Sequence, residues 1–419
     1  VKSGWISIIE SIDNFVASYS NPNVNAVRSV NSYPYTGTHT ISPDVTTVSG
    51  ITNVGPVNPS QGVGVFHLHG TDDNIVSYAQ RLTSTLPEEL DTCFFVNSAS
   101  EANELALRLA RAHTGTKGMV TPDHGYHGNT TGAIDVSAYK FNAKGGVGQS
   151  DWVELVEVAD DYRGSFKRDD SERAQKYADL VGPAIEALQA KGHGVAGFIA
   201  ETFPSVGGQI IPPRGYLPAV YKKIRAAGGI CIADEVQTGL GRLGDYYFGF
   251  EHQGASPDIV VMGKPIGNGH PIGVLVTTRA IADSFAKGPE FFSTFGGSTL
   301  SCRMGKEVLD IVDDEALQQN ARMMGAELIT GLRALQDKHA SIGDVRGMGL
   351  FLGVELITED GSEATQICSY VKNRMRDHRI LIGSEGPKDN ILKIRPPLTI
   401  DSEGVEMILA ALDSILSEV

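Results

Sequence analysis

The sequence predicts an α/β protein in which a large domain with a mostly parallel β-sheet is followed by a smaller C-terminal α/β domain. From about residue 74, short apolar segments typical of buried strands alternate with amphipathic segments typical of helices. Such alternation indicates a parallel sheet that is covered by helices on both faces. After about residue 300 the helical segments lengthen and the strands become fewer, which marks the smaller domain.

The seven strands predicted for the large domain are Thr92–Val96, Met119–Thr121, Val153–Val158, Val195–Ala200, Ile230–Ala233, Ile259–Met262 and Ile272–Thr277. The helices predicted between them are Ser100–His113, Ser171–Lys191 and Tyr216–Ala227. The elements predicted for the small domain are helices at Met304–Asp314, Glu315–Lys338, Ser362–His378 and from Ser402, with strands at Gly349–Leu356 and Ile391–Ile394. Residues 1–60 show only a weak helical pattern at Ser3–Ser18. We therefore expect an N-terminal arm over residues 1–60, a large domain over 61–300 and a small domain over 301–419.

The composition restricts the classes of partner. Among 419 residues, 35 Lys and Arg stand against 50 Asp and Glu, and the formal net charge of −15 disfavours binding to nucleic acid or anionic membranes. No apolar run approaches the roughly 20 residues that a membrane-spanning helix needs. The four cysteines are far apart, without a CxxC pair or a His/Cys cluster. We therefore expect neither a disulfide framework nor a metal site, and we predict a reducing, cytoplasmic location.

Three polar features follow predicted strands, at the edge where parallel sheets bind ligands. Ser98 and Glu101 match an S-x-x-E capping box, and the N–H groups of such a helix start suit a phosphate, although a plain helix cap has the same pattern. Asp234 ends an apolar strand, where a buried carboxylate needs a cationic or hydrogen-bonding partner; a structural arginine would also serve. Lys264 lies in a Gly-Lys-Pro turn, where apolar surroundings would favour a neutral, nucleophilic amine.

These three features together match the needs of pyridoxal 5′-phosphate (PLP). This cofactor binds through a lysine Schiff base, with an acidic partner on its pyridinium nitrogen and a site for its phosphate. Asp234 would keep the ring nitrogen protonated, so that the ring withdraws electrons strongly. Tyr126, in a Gly-Tyr-His-Gly segment, supplies an aromatic face for stacking on the ring.

At these residues the chain resembles the class III PLP-dependent aminotransferases. The resemblance covers roughly residues 67–400 and rests on Asp234–Gln237, on Lys264 thirty residues after Asp234, on Asn97–Asn103 and on Thr294–Gly297. It implies the PLP-dependent transferase fold of type I, with a seven-stranded sheet. Within the family the chain is most similar to the ethanolamine-phosphate phospho-lyases. The segments that carry this closer likeness are Asp73–Leu82, Ala138–Phe141, Gly207–Pro213 and Gly263–Pro271.

The resemblance also implies a role for each residue around the cofactor ring. Lys264 forms the Schiff base and moves the proton, Asp234 pairs with the ring nitrogen, and Gln237 binds the phenolic oxygen. The ring lies between Val236 and Tyr126. The full set of cofactor-binding residues implied by the family is Ser98, Ala99, Ser100, Tyr126, Glu201, Asp234, Val236, Gln237, Lys264 and Thr294.

The family further implies a homodimer with shared active sites, because Thr294 of the partner subunit reaches the PLP phosphate. Two departures from the family pattern bear on the site. Ala99 stands where the family usually has Gly, which would narrow the phosphate loop, and residues 1–60 lack the usual Gly-His-x-His-Pro stretch. Bacterial members of this branch are often parts of longer fusion proteins, which agrees with a chain that opens on Val1.

We predict that the enzyme eliminates phosphate from phosphoethanolamine or a related phosphorylated amine, giving acetaldehyde, ammonia and phosphate. Arg395 matches a substrate-anion position of the family, and a guanidinium fork suits phosphate. His69, His270 and Lys140 are further candidates, although a structural role fits each histidine as well. An ω-aminotransferase would use the same lysine and aspartate and is the alternative. A non-catalytic PLP-fold module of a longer protein is a second alternative, which the intact lysine and aspartate disfavour.

Overall fold

The computed structural model describes residues 72–419. The N-terminal arm predicted for residues 1–60, including the helical pattern at Ser3–Ser18, lies outside the described residues, as does His69. Within the described part of the chain, no helix is both long and apolar enough to cross a bilayer.

A seven-stranded sheet forms the centre of the larger domain, in the order β1-β7-β6-β5-β4-β2-β3. Its strands are β1 Thr92–Val96, β2 Gly118–Pro122, β3 Val153–Val156, β4 Val195–Glu201, β5 Ile230–Asp234, β6 Ile259–Met262 and β7 Gly273–Thr277. Only β7 runs antiparallel to its neighbours β1 and β6. The mostly parallel seven-stranded sheet predicted from the sequence is therefore confirmed, with each predicted strand within two residues of its position at either end.

Helices cover both faces of this sheet. The helices of the larger domain are α1 Asp72–Thr83, α2 Ala99–Thr114, α3 Thr131–Asp135, α4 Ala138–Phe141, α5 Arg173–Asp179, α6 Val181–Ala190, α7 Tyr216–Ala226, α8 Gly249–Gln253 and α9 Arg279–Ala286. Helices α2 and α9 pack on one face, whereas α6 and α7 pack on the other. Strand β6 is apolar throughout because both of its faces are covered. Ile259 and Val261 pack in the core beneath α2 and α9, whereas Val260 packs in the core beneath α6 and α7.

A four-stranded antiparallel sheet, in the order β10-β11-β9-β8, forms the smaller domain. Its strands are β8 Ile342–Met348, β9 Phe351–Leu356, β10 Gly383–Glu385 and β11 Ile391–Ile394. The helices of this part of the chain are α10 Thr299–Asp314, α11 Leu317–Lys338, α12 Thr365–Asp377 and α13 Ser402–Leu416. Residues of α11, α12 and α13 share a single apolar core with this sheet.

Several predicted boundaries were wrong. The helix predicted at Ser171–Lys191 is two helices, and Pro183 lies in the first turn of the second one, where its missing N–H is tolerated. The helix predicted from Glu315 begins only at Leu317, because Ala316 has a left-handed φ of 50°. Strands β8 and β10 were not predicted, since their sequences contain charged residues and glycines rather than an apolar run. Strand β9 begins at Phe351 rather than Gly349, because Gly349 turns the chain with a φ of 53°.

The strand register brings three polar residues to one edge of the large sheet. Glu201 and Asp234 are the last residues of β4 and β5 and lie side by side in the pairing of these strands. Asp234 pairs in turn with Val261 of β6, and Lys264 follows two residues after β6 ends. The fold therefore gathers these three residues at the carboxyl edge of adjacent parallel strands.

Candidate functional site

Asp234 is held by three hydrogen-bond donors at the end of β5. It is 2% exposed, and its Oδ2 accepts hydrogen bonds from Asn103 Nδ2 at 2.9 Å and from His127 Nδ1 at 2.8 Å. Its Oδ1 accepts a hydrogen bond from the Val236 N–H at 3.1 Å. Because a carboxylate only accepts, Nδ1 is the ring nitrogen of His127 that carries a proton. The carboxylate is thus fixed in orientation while Oδ1 retains room for one further donor.

Asn103 and His127 hydrogen-bond Asp234 and were not among the candidate site residues predicted from the sequence. Asn103 lies on the face of α2 that packs against the sheet, and its Nδ2 also donates to the His127 carbonyl oxygen at 2.8 Å. Both residues are buried, and each keeps one buried polar atom, Asn103 Oδ1 and His127 Nε2, without a partner among residues 72–419. The Gly-Tyr-His-Gly segment was the available signal for His127, whereas nothing in the sequence links Asn103 to a residue 131 positions away.

Lys264 is the first residue of a short 3₁₀ helix, Lys264–Ile266, which follows Gly263 at the end of strand β6. Its φ of 33° lies in the left-handed region, which is unusual for a residue with a side chain and indicates local backbone strain at this turn. The residue is accessible rather than buried, contrary to the sequence-based expectation of an apolar enclosure. Protein atoms around the amine nevertheless lower the pKa of Lys264 by reducing its hydration, although the carboxylates of Asp234 and Glu201 oppose this shift. A lowered amine pKa favours Schiff-base formation.

Glu201 is a buried carboxylate held by main-chain groups. It accepts hydrogen bonds from the Tyr126 N–H at 3.2 Å and the Ser205 N–H at 2.7 Å. Burial, and then repulsion from Asp234, raise the pKa of Glu201 to about 6. This carboxyl group therefore changes its charge within the range in which enzymes normally work.

The start of helix α2 forms a candidate phosphate cradle. Ser98 is its N-cap, with its Oγ accepting from the Glu101 N–H at 3.2 Å, as the capping motif predicted. The Glu101 carboxylate reaches back one residue further than predicted, to the main-chain and side-chain nitrogens of Asn97. The loop after β6 packs closely against the start of α2, since a Cβ atom added to Gly263 would lie 2.7 Å from the Cβ of Ala99. The cradle thus combines unused N–H groups of a helix start with glycine-dependent close packing.

Two aromatic rings and a lysine lie beside the carboxyl edge of the large sheet. The rings of Tyr126 and Tyr139 are perpendicular, with centroids 6.1 Å apart. The Lys140 ammonium lies 4.8 Å from the centroid of Tyr139 and 5.5 Å from that of Tyr126. Tyr126 therefore contacts a perpendicular neighbouring ring and a cation that lies over its own ring, while its main-chain N–H binds Glu201.

Arg395 extends from the end of β11 to Gln237 in the larger domain. Its Nη1 donates to the Gln237 side-chain oxygen, and its Nη2 donates to the Gln237 carbonyl oxygen at 2.6 Å. Burial, and then the neighbouring Arg242, lower the pKa of Arg395 to about 9. Among residues 72–419, no carboxylate lies within ion-pair distance of this guanidinium, and its Nε is buried without a partner. The group is thus a cation that is available to an anionic ligand.

The remaining predicted residues occupy varied positions. Val236 is 5% exposed and belongs to the core beneath the sheet edge. Ser100 accepts a hydrogen bond from the Asn129 N–H at 3.2 Å, and His270 Nε2 lies 2.9 Å from Ser301 Oγ. Thr294 is exposed on the segment between α9 and α10. A separate cavity of about 270 Å³, lined by charged residues of the loops after β2 and β3 and of the small sheet, contains none of the predicted residues.

The donor set fits PLP chemically. The cofactor has an anionic phosphate, a basic ring nitrogen and an aldehyde, and the site offers a helix start, a fixed carboxylate and an amine with a lowered pKa. The free acceptor position on Asp234 Oδ1 matches the need for a partner of a protonated ring nitrogen. Glycines at 128 and 263 leave space that a Cβ would occupy.

Comparison with known proteins identifies the family. The model of the family "Aminotransferase class-III" matches residues 63–416. An alanine–glyoxylate aminotransferase 2-like protein of Drosophila melanogaster is 45% identical over 355 residues, which are 83% of this chain and 72% of the relative. Ethanolamine-phosphate phospho-lyase homolog 1 of Caenorhabditis elegans is 39% identical over 354 residues, 81% of this chain and 75% of that protein.

A solved structure gives the same result. A phospholyase from Arthrobacter in complex with phosphoethanolamine superposes with a TM-score of 0.79 and 36% identity, covering 83% of this chain and 82% of that one. The resemblance to class III aminotransferases, the fold and the cofactor expected from the sequence are thereby confirmed. The chain therefore belongs to the class III aminotransferase family, whose members depend on PLP.

Proposed function

We propose that this enzyme is a lyase that converts phosphoethanolamine, or a related phosphorylated amine, and water into acetaldehyde, ammonia and phosphate. The observation that carries the proposal is Arg395, a half-buried cation without a carboxylate partner in the described part of the chain. Arg395 interacts electrostatically with Lys264 and with Glu201, so an anion bound to its guanidinium would lie near the reactive amine. The likeness to the Arthrobacter phospholyase supports the same substrate class.

When bound, PLP supplies an aldehyde for the substrate amine and a ring that withdraws electrons from the adjacent carbon. Lys264 would remove the proton from the carbon that bears the nitrogen, for which its lowered pKa is suited. Asp234 would hold the ring nitrogen in its protonated form, and Asn103 and His127 would keep that carboxylate in place. The three residues act as one hydrogen-bonded unit.

The other residues would position the cofactor. Val236 and Tyr126 would contact the two faces of the ring, and Gln237 would donate to its phenolic oxygen. Ser98, Ala99 and Ser100 would bind the phosphate through the start of α2, where the partial positive charge of the helix favours an anion. Glu201 would line the substrate side of the ring.

The substrate phosphate would bind Arg395 through charge-assisted hydrogen bonds. Arg242 lies close enough to lower the pKa of Arg395, and its own Nη1 donates to the carbonyl oxygens of Leu350 and Pro396. Lys140 and His270 are the other candidates, of which Lys140 stands beside Tyr126 and His270 beside Ser301. The substrate phosphate thus has two cations to bind, the half-buried Arg395 and the exposed Lys140, whereas burial lowers the pKa of His270, so that its imidazole would act as a neutral hydrogen-bond donor.

The test is an assay of purified holoenzyme with phosphoethanolamine and no keto acid. We expect acetaldehyde, ammonia and phosphate to appear in equal amounts. Turnover of amines that occurs only when glyoxylate or another keto acid is supplied would contradict the lyase proposal. That result would instead support an ω-aminotransferase, the second candidate, which the 45% identity to the alanine–glyoxylate aminotransferase 2-like protein favours.

Glu201 should make anion binding depend on pH. Its carboxyl group is neutral below its pKa of about 6 and negative above it. Since Glu201 acts electrostatically on Arg395, its ionisation should repel an anionic ligand by roughly 1 kcal/mol, or about fivefold in affinity. Competitive inhibition by sulfate, whose charge is constant in this range, should therefore weaken as pH rises through 6. The Glu201→Gln variant should lose this weakening; an unchanged pH profile in the variant would contradict the assignment.

We also propose that the enzyme is a homodimer in which Thr294 of the partner subunit completes the phosphate site. Phe292 and Phe295, on either side of this residue, are each 66% exposed, which is unusual for large apolar side chains. The double substitution Phe292→Asp with Phe295→Asp should weaken dimerisation about 100-fold in sedimentation velocity, because desolvated aromatic anchors dominate interfaces. Leu381→Asp, at an 89% exposed position of the smaller domain, is the matched control and should leave the dimer intact.

The four cysteines support the proposed reducing, cytoplasmic location. Cys93, Cys231, Cys302 and Cys368 are all buried as free thiols. Burial raises the pKa of each thiol, so none is activated as a thiolate.

A further inference from the structure

The contact between Arg395 and Gln237 joins the two domains at the site. Arg395 follows β11 of the small sheet, and Gln237 lies three residues beyond β5 of the large sheet, 158 positions away in sequence. The two terminal nitrogens of the guanidinium donate hydrogen bonds to both oxygens of Gln237, the side-chain amide oxygen and the main-chain carbonyl oxygen. Gln237 is 9% exposed, so this contact is largely shielded from water.

The partners of Arg395 are weaker than those that a guanidinium normally selects. Both acceptors are neutral oxygens, whereas hydrogen bonds to an anion are roughly twice as strong. The neighbouring Arg242 is itself a cation, and Arg395 Nε is buried without a partner in the described part of the chain. An oxyanion that enters the site can therefore compete for the guanidinium against the amide of Gln237.

The same contact fixes which way the Gln237 amide points. Since its oxygen accepts from Arg395, its NH₂ group is the end that is left to donate. In the proposed function this NH₂ group would donate to the phenolic oxygen of PLP. A positive charge on the oxygen of an amide polarises its N–H bonds, so Arg395 strengthens the donor that Gln237 offers to the cofactor.

We propose that Arg395 and Gln237 form a relay in which binding of an oxyanion, such as a phosphate monoester, to Arg395 changes the hydrogen bond that Gln237 makes to the cofactor. The anion draws the guanidinium away from the amide oxygen, and the cofactor's phenolic oxygen loses part of its stabilisation. The ring electronics therefore respond to whether the anionic end of the substrate is in place. The relay rests on the proposed cofactor role of Gln237 but not on the lyase outcome, because a carboxylate substrate would act on Arg395 in the same way.

The test uses the holoenzyme, with inorganic phosphate as the probe in buffer free of other oxyanions. Phosphate binding is measured by calorimetry, and the visible absorbance of bound PLP is followed in parallel. The wild type should bind phosphate and show a saturable change in the visible bands with the same midpoint. Arg395→Gln should weaken phosphate binding at least about tenfold and lose the spectral change. Arg374→Gln, a matched arginine of the smaller domain that pairs with Asp377 and Glu418, should behave as wild type.

Two variants of Gln237 separate the relay from simple anion binding. Gln237→Met should still bind phosphate but without the spectral change, because the amide that carries the signal is missing. Gln237→Glu should convert the contact into an ion pair and weaken phosphate binding at least about tenfold. PLP content and circular dichroism show whether a variant has lost the cofactor or the fold. If Gln237→Met has done so, the phosphate affinity of Gln237→Glu decides whether the relay is correct.

A full spectral change in Gln237→Met would overturn the relay, as would phosphate binding to the wild type with an unaltered spectrum, or no phosphate binding at all. Failure of the lyase proposal is recognised separately, by the lack of phosphate release from phosphoethanolamine in an enzyme that still shows the spectral response. The two proposals can therefore fail independently.

Discussion

Replacing Lys264 with alanine should abolish both turnover and the visible absorbance that PLP acquires when it is joined to the protein. The amine both bonds to the cofactor and moves the proton, and a positioned general base alone contributes about 10²–10⁴-fold to the rate. We therefore expect a loss of at least about 10³-fold in kcat with phosphoethanolamine, measured as phosphate release. An absorbance spectrum taken after adding PLP should show only the free cofactor.

Lys222→Ala is the matched control for this substitution. Lys222 is exposed on α7, far in sequence from the edge at which Lys264 lies, and it takes part in no hydrogen bond or ion pair with the described residues. It should leave both rate and spectrum unchanged. Substantial activity in Lys264→Ala, with a normal spectrum, would refute the assignment of the reactive amine.

Asp234→Asn should cause the second largest loss, about 10²–10³-fold in kcat, because a preorganised charge opposite the ring nitrogen is removed. The amide has nearly the same shape, and its oxygen can still accept the hydrogen bond from the Val236 N–H. A neutral group cannot keep the ring nitrogen protonated, however, so electron withdrawal by the ring should weaken. The measurement is the steady-state rate at saturating substrate, together with the affinity for PLP.

The neighbouring carboxylate provides the control for Asp234. Glu235 is also buried, but it accepts hydrogen bonds from the Gly249 and Phe250 N–H groups and from Thr238, on the side away from Asp234. Burial raises its pKa to about 7, so the group is partly protonated near neutral pH. Glu235→Gln should lower the thermal midpoint slightly and change kcat less than about threefold. Equal losses in the two variants would mean that Asp234 acts through stability rather than charge.

The elements predicted well from sequence were those whose pattern is local. Strands β1, β6 and β11 have the predicted bounds, because each is a short, mainly apolar segment: β6 is apolar throughout, β1 only begins with a threonine and β11 contains a single lysine, Lys393. The carboxyl edge of the sheet was also predictable, since Asp234 and Lys264 follow such runs directly. Strand β8 was missed because Asp344 and Arg346 are buried there in an ion pair that only the folded chain forms. Strand β10 was missed because its three residues, Gly383–Glu385, include no apolar side chain.

The parts of the site that could not be predicted depend on contacts between distant segments. Asn103 reaches Asp234 only because α2 packs across the sheet, and Arg395 reaches Gln237 only because the smaller domain lies against the larger one. The accessibility of Lys264 was likewise not predictable, since the apolar strand before it does not determine what surrounds the turn that follows. Residue type and spacing therefore identified the chemistry, whereas tertiary packing supplied the orientation.

The way in which Glu201 is anchored has a consequence for redesign of this enzyme. Its two donors among the described residues are main-chain N–H groups, those of Tyr126 and Ser205, and every residue except proline offers such a group. Replacing the side chains at these two positions therefore leaves the anchorage in place, and the carboxylate stays where it is as its surroundings diverge. Efforts to redirect the enzyme towards uncharged amines should accordingly exchange the glutamate itself rather than its neighbours.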